Sequence, residues 1–187
     1  KSMAVQSTGR IKSFDSMART TMGWVSGPRR IAGQEQAFTY LDILFRPSAY
    51  DNADIIYVKK KQIRQKIADQ LARVDAIEIS VLDTFQETGL ISPSLLRHPA
   101  ATDLFDKLEM NLMRTAKPVN AIRSAMRVAQ PGTLMRSLQV IPPPGGGEKD
   151  VWYLVEHVLG ASSGGVPGLD PELATQISRT WSNLASS

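Results

Sequence analysis

Thr102-Asp103-Leu104-Phe105-Asp106-Lys107-Leu108-Glu109-Met110-Asn111-Leu112-Met113-Arg114-Thr115-Ala116-Lys117 is the stretch that decides the fold class. Leu104, Phe105, Leu108, Leu112 and Ala116 recur at helical spacing and share one side, leaving Asp103, Asp106 and Glu109 on the solvated one. The spacing predicts a helix over 102–117, interrupted by Pro118, with the pattern resuming from Asn120 to Ala129 through Ile122, Ala125, Met126 and Ala129. Similar stripes lie on both sides of it. Met17, Ala18, Thr21, Met22 and Val25 form one, capped by Ser13 or Asp15. Ala37, Tyr40, Leu41 and Leu44 form a second, within a helix from Gln34 to Phe45. Ile63, Ile67 and Leu71 sit on a basic helix, and Val151, Leu154, Val155 and Val158 suggest another from 151 to 159. Asp170 caps a final helix, with Pro171 in its first position and Leu173, Ile177, Trp181 and Leu184 along one side.

Strand signals are fewer. Ala4–Gln6 and Arg10–Lys12 flank a turn in which Gly9 supplies a positive φ, and Ile55–Val58 and Leu138–Ile141 are short β-prone runs. The expected architecture is mainly α: a helical domain with a short N-terminal β-hairpin and one or two minor strands. A Gly/Ser-rich stretch divides it into a helix-rich body, 1–160, and a tail, 161–187, made of a linker and an amphipathic helix.

Composition narrows the chemistry. With 42% hydrophobic and 21% charged residues, the 187-residue chain can bury a core. Its 22 Lys and Arg are offset by 18 acids and spread along the chain, which gives nucleic acid little support. The absence of cysteine removes disulfides, thiolate nucleophiles, thiolate zinc sites and covalent haem attachment. No apolar run is long enough to span a bilayer, and the chain starts directly in a patterned segment, as an excised piece of a longer protein would.

Few residues invite a chemical role. Lys59, Lys60, Lys61, Arg64 and Lys66 form the densest charge cluster, readable as a contact for an anionic surface or as the solvated face of a helix. No aromatic platform for single-stranded nucleic acid accompanies them. Pro142-Pro143-Pro144-Gly145-Gly146-Gly147 lacks the Lys-Ser/Thr of a phosphate loop and reads as a turn leaving a strand. His98 and His157 are the only histidines, and neither has acids at metal-ligand spacing, so no metal site is assigned. No combination of nucleophile, base and oxyanion donor stands out, and the reading names no catalytic residue.

Residues 4–19, Ala-Val-Gln-Ser-Thr-Gly-Arg-Ile-Lys-Ser-Phe-Asp-Ser-Met-Ala-Arg, resemble a recurring stretch of bacterial cytochrome c biogenesis proteins of the CcsA/ResB (system II) type. Val5, Gln6, Gly9, Arg10, Ile11, Lys12, Asp15, Ala18 and Arg19 match, whereas Ala4 and Ser13 replace prolines and Ser16 a threonine. Leu138 to Pro144, with Pro142 and Pro143, followed by Trp152, is similar to a later stretch of the same family. The resemblance implies a non-catalytic domain on the periplasmic side of a bacterial inner membrane, part of a larger protein whose flanking spans hold it there. Such a domain would dock a protein partner, apocytochrome c or an assembly subunit, through an apolar groove. The family's Trp-rich segment and haem-ligating histidines are absent, so any haem would belong to the parent protein and none is assigned to this domain. The matched residues read as a structural knot, with Arg19 one turn from Asp15 and able to pair with it. The rival expectation is a helical scaffold or regulator that meets an acidic partner or nucleic acid through the Lys59–Lys66 helix.

Overall fold

The computed structural model describes residues 3–110, 114–143, 150–160 and 168–186. Leu112, the glycines after Pro143 and the linker core at 161–167 lie outside them. Among the described residues the structure is mainly α and 63% helical.

The hairpin comes first, as β1 (Ala4–Ser7) and β2 (Arg10–Ser13), followed by α1 (Phe14–Ser26), α2 (Gln36–Phe45) and α3 (Pro47–Asp51). A short strand β3 (Ile56–Tyr57) precedes α4 (Lys61–Leu71) and α5 (Ile79–Thr88), and β4 (Leu90–Ile91) leads into α6 (Pro93–Arg97) and α7 (Pro99–Glu109). Then come α8 (Ala116–Val128), α9 (Pro131–Arg136), β5 (Gln139–Ile141), β6 (Tyr153–Leu154), α10 (Val155–Leu159) and α11 (Pro171–Ala185). Proline is the first residue of α3, α6, α7, α9 and α11, where its missing N–H leaves no helical bond unmade. Pro47 thus both follows the end of α2 and opens α3.

Helices α1, α2, α4, α7 and α8 pack on one another around a single core. The expected stripes face it: Met17, Met22 and Val25 of α1, Tyr40 and Leu44 of α2, Ile63, Ile67 and Leu71 of α4, and Ile122 and Ala125 of α8 are all buried. Tyr40 is fully buried, meets Phe14 edge-on at 5.5 Å, and donates its hydroxyl to the Leu134 carbonyl at 2.6 Å. That bond satisfies the one polar group an aromatic of this size brings into the core.

Two small antiparallel sheets flank the helices. One has the strand order β2-β1-β5-β6, with Gln6 opposite Gln139; the other pairs β3 with β4. Two sequence expectations are corrected here. Residues 151–159 are not one helix: Tyr153 and Leu154 pair with β5, the helix starts at Val155, and Val151 is exposed. The free ladder edge of β5 outweighs the helical spacing of the four apolar residues. Pro118 does not end a helix either. It lies in the first turn of α8, where the N–H it lacks would be unpaired anyway, and the break with α7 falls before Ala116.

Candidate functional site

Thr8 and Gly9 form the hairpin turn, both at positive φ (53° and 72°), the geometry of a two-residue loop whose twist matches its strands. Arg10 is exposed at the start of β2, and Lys12 stands opposite Val5. Ser13, rather than Asp15, is the N-cap of α1, its hydroxyl accepting from the Ser16 N–H at 3.2 Å. Asp15 instead sits in the first turn and accepts from Arg19 at 2.7 Å, the expected pair. Both side chains are more than half exposed, so the pair stabilises the helix by about 0.3–0.5 kcal/mol.

Gln6 is the residue that joins the two family-like stretches. Its side chain, 5% exposed, accepts from the Trp152 N–H at 2.9 Å through Oε1 and donates to the Asp150 carbonyl at 2.6 Å through Nε2. One amide thus satisfies a donor 146 positions and an acceptor 144 positions along the chain. Trp152 is buried, Pro143 half-buried and Pro142 exposed. The sequence singles out Gln6 and Trp152 separately, and nothing in it announces their bond.

Beside this knot runs an apolar groove of about 710 Å³. Ile177 and Trp181 of α11 face Leu41 and Phe45 of α2 across it, and Leu138, Val140 and Val155 supply the floor. The rings of Phe45 and Trp181 lie 4.9 Å apart at one end, so the tail helix rests on the body. Four large hydrophobics that remain substantially exposed, Met3, Phe38, Leu173 and Leu184, belong to this same groove. Among the described residues six other exposed large hydrophobics, Trp24, Ile79, Met110 and Val151 among them, lie outside it, so this groove is where such side chains gather rather than the whole of the exposed apolar surface. Its polar end is held by Asp42, which accepts from the Tyr50 hydroxyl at 2.5 Å and from Arg46 Nε at 2.6 Å. Burial, then the bond to Asp42 and its negative charge, push the Tyr50 phenol up to about 12.

The basic cluster divides. Lys59 and Lys60 precede α4, Lys61 is its first residue, and these three with Lys66 are exposed. Arg64 turns inward and is 7% exposed, its Nε donating to the Val58 carbonyl at 2.6 Å, its Nη1 to that of Gln86 at 3.3 Å, with Tyr57 beneath it at 5.3 Å. Two of its five N–H donors go to carbonyls and the whole side chain is buried, so Arg64 does not share the exposed face that Lys59, Lys60, Lys61 and Lys66 present.

Both histidines use Nδ1 locally, His98 accepting from the Ala100 N–H at 3.2 Å and His157 from that of Leu154 at 3.3 Å. Arg123 bridges α8 to α7, 2.6 Å from Asp106 and 3.1 Å from Glu109, so those two acids are ion-paired rather than merely solvated. Among the described residues no three His, Asp or Glu side chains gather as a metal site, and no helix is long and apolar enough to cross a membrane. No protein-family model and no curated protein matches the chain.

Proposed function

We propose that this chain is a partner-docking domain of a membrane-bound cytochrome c assembly protein, held on the periplasmic side of a bacterial inner membrane. It acts by contact, not by catalysis, and the haem chemistry belongs to the parent protein. The observation that carries the reading is the Gln6 bond to Trp152: the two stretches that resemble the family are far apart in sequence yet form one unit beside the apolar groove. The groove is the docking surface, and its occupant is an apolar segment of an apocytochrome c or of an assembly subunit.

The rival reading, an acidic partner or nucleic acid on the Lys59–Lys66 helix, loses its central cation because Arg64 is buried.

Two measurements test the proposal together. The full reading frame should show apolar spans of about 20 residues flanking this chain and a Trp-rich haem segment beyond. In the native host, Phe38→Asp and Leu173→Asp, at exposed positions that leave folding intact, should lower the haem-stained c-type cytochromes. A frame without spans, or unchanged cytochrome levels in a correctly folded double variant, overturns it.

A further inference from the structure

Away from the groove, with which it shares no lining residue, β3 and the starts of α4 and α8 enclose a second cavity of about 300 Å³. Its floor is apolar, made by Val58, Ala121 and Ile122, and three of its eight lining residues are lysines: Lys59, Lys60 and Lys117. No carboxylate lines it, and no ion pair engages any of the three among the described residues.

The placement of these cations is electrostatically costly. Lys60 is the N-cap of α4 and Lys117 the second residue of α8, so both sit at the positive ends of helices. Neither helix has an acid in its first turn or a side chain capping its N–H groups. The buried Arg64 lies over the ring of Tyr57, a lining residue, and donates to two carbonyls, so its positive charge is solvated by dipoles and adds to that of the lysines. A solvated helix face does not account for this arrangement, because Lys59 and Lys60 lie outside the helix and line a concavity. Several positive charges converging on one apolar hollow with no internal counter-charge are complementary to a molecule that combines the two missing features.

We propose that the Lys59–Lys60–Lys117 cavity is a binding site for an organic anion, a phosphate or carboxylate carrying a short apolar group. The lysines hold the anionic head, and the apolar group lies on Val58, Ala121 and Ile122. The volume falls at the small end of ligand pockets, which limits the buried part to a compact group or the first methylenes of a chain. The inference is independent of the docking groove and of the cytochrome reading.

The test is a titration of the 187-residue chain with hexyl phosphate, inorganic phosphate and hexanol, followed by backbone amide shifts. Hexyl phosphate is expected to produce saturable shifts at 58–60 and 117–122, with inorganic phosphate weaker and hexanol inert. Lys59→Gln and Lys117→Gln should each weaken hexyl phosphate by about tenfold, the size of one charge-assisted contact. Ala121→Phe, at an exposed position that keeps the helix, should block it. Co-sedimentation with phosphatidylglycerol vesicles then separates the sources: retention that is lost in the lysine variants identifies a lipid headgroup, and no retention identifies a free organic anion. Either result supports the site. Shifts confined to the groove around Phe45 and Trp181, or lysine variants that bind like the parent chain, overturn it.

Discussion

Replacing Gln6 by Leu tests the junction between the two ends of the described fold. Leucine keeps nearly the same volume, so no cavity forms and the loss is that of the two hydrogen bonds. The Trp152 N–H is buried and has Gln6 Oε1 as its partner, so without it the amide bears its desolvation cost, about 1–3 kcal/mol. The Asp150 carbonyl belongs to an exposed residue and can turn to water, adding little. The expected loss is about 2 kcal/mol, a large part of the ~5–15 kcal/mol that holds such a domain together. In urea the midpoint should fall with the slope unchanged, and the melting temperature should drop by about 4–8 °C. The Trp152 amide should also exchange faster, while amides of α4 and α7 keep their protection. A loss under about 0.5 kcal/mol would refute the reasoning, since it would mean that the Trp152 amide finds another partner at no cost.

Other outcomes follow from the same contacts. Tyr50 has its phenol raised from 10 to about 12 in the folded state, so it binds a proton there that the unfolded chain has lost; stability is complete below pH 10 and falls as pH rises towards 12, and Tyr50→Phe should flatten that part of the profile. Gly89 holds φ +77°, and a β-carbon there would land on the Arg64 guanidinium, so Gly89→Ala should cost at least the ~1–2 kcal/mol of the left-handed conformation, measured by urea unfolding. Trp181→Ala removes the ring contact with Phe45 and should speed hydrogen exchange along α11 while the body keeps its unfolding midpoint; a matching fall in both would show that the tail helix is integral to the core.

The helical frame was readable because it rests on local periodicity. The stripes of α1, α2, α4 and α8 need only their own residues to be recognised, and Gly9 announces the hairpin turn by itself. What escaped depends on partners elsewhere in the chain. Tyr153 and Leu154 became strand because β5 offers an edge, a fact invisible in the window 151–159. Arg64 reads as a surface cation until Val58, Gln86 and Tyr57 close around it. The stripe of α11 was plain in Leu173, Ile177, Trp181 and Leu184, but the facing wall of Leu41 and Phe45 was not, since the contact joins residues more than a hundred positions apart. The same holds for the second cavity, whose lysines come from two helix starts that the sequence keeps separate. Pro118 differs from its local reading for a simpler reason: proline disrupts a helix interior but fits a helix's first turn, and the residue alone does not tell the two apart.

The sheet order β2-β1-β5-β6 also dictates a sequence of events. The hairpin can form as soon as its own residues exist, but the other edge of β1 stays open until β5 arrives. Closing the 144-residue loop to Asp150 carries an entropy cost of about 4 kcal/mol, which only a preformed helical body can reduce by bringing its ends near. At ribosomal speeds of about 5–20 residues per second, the edge waits roughly 7–30 s for its partner. Throughout that interval the nascent chain carries an unsatisfied strand that any other extended segment could join. Folding of this protein is thus a race between the completion of its own sheet and capture of β1 by a neighbour.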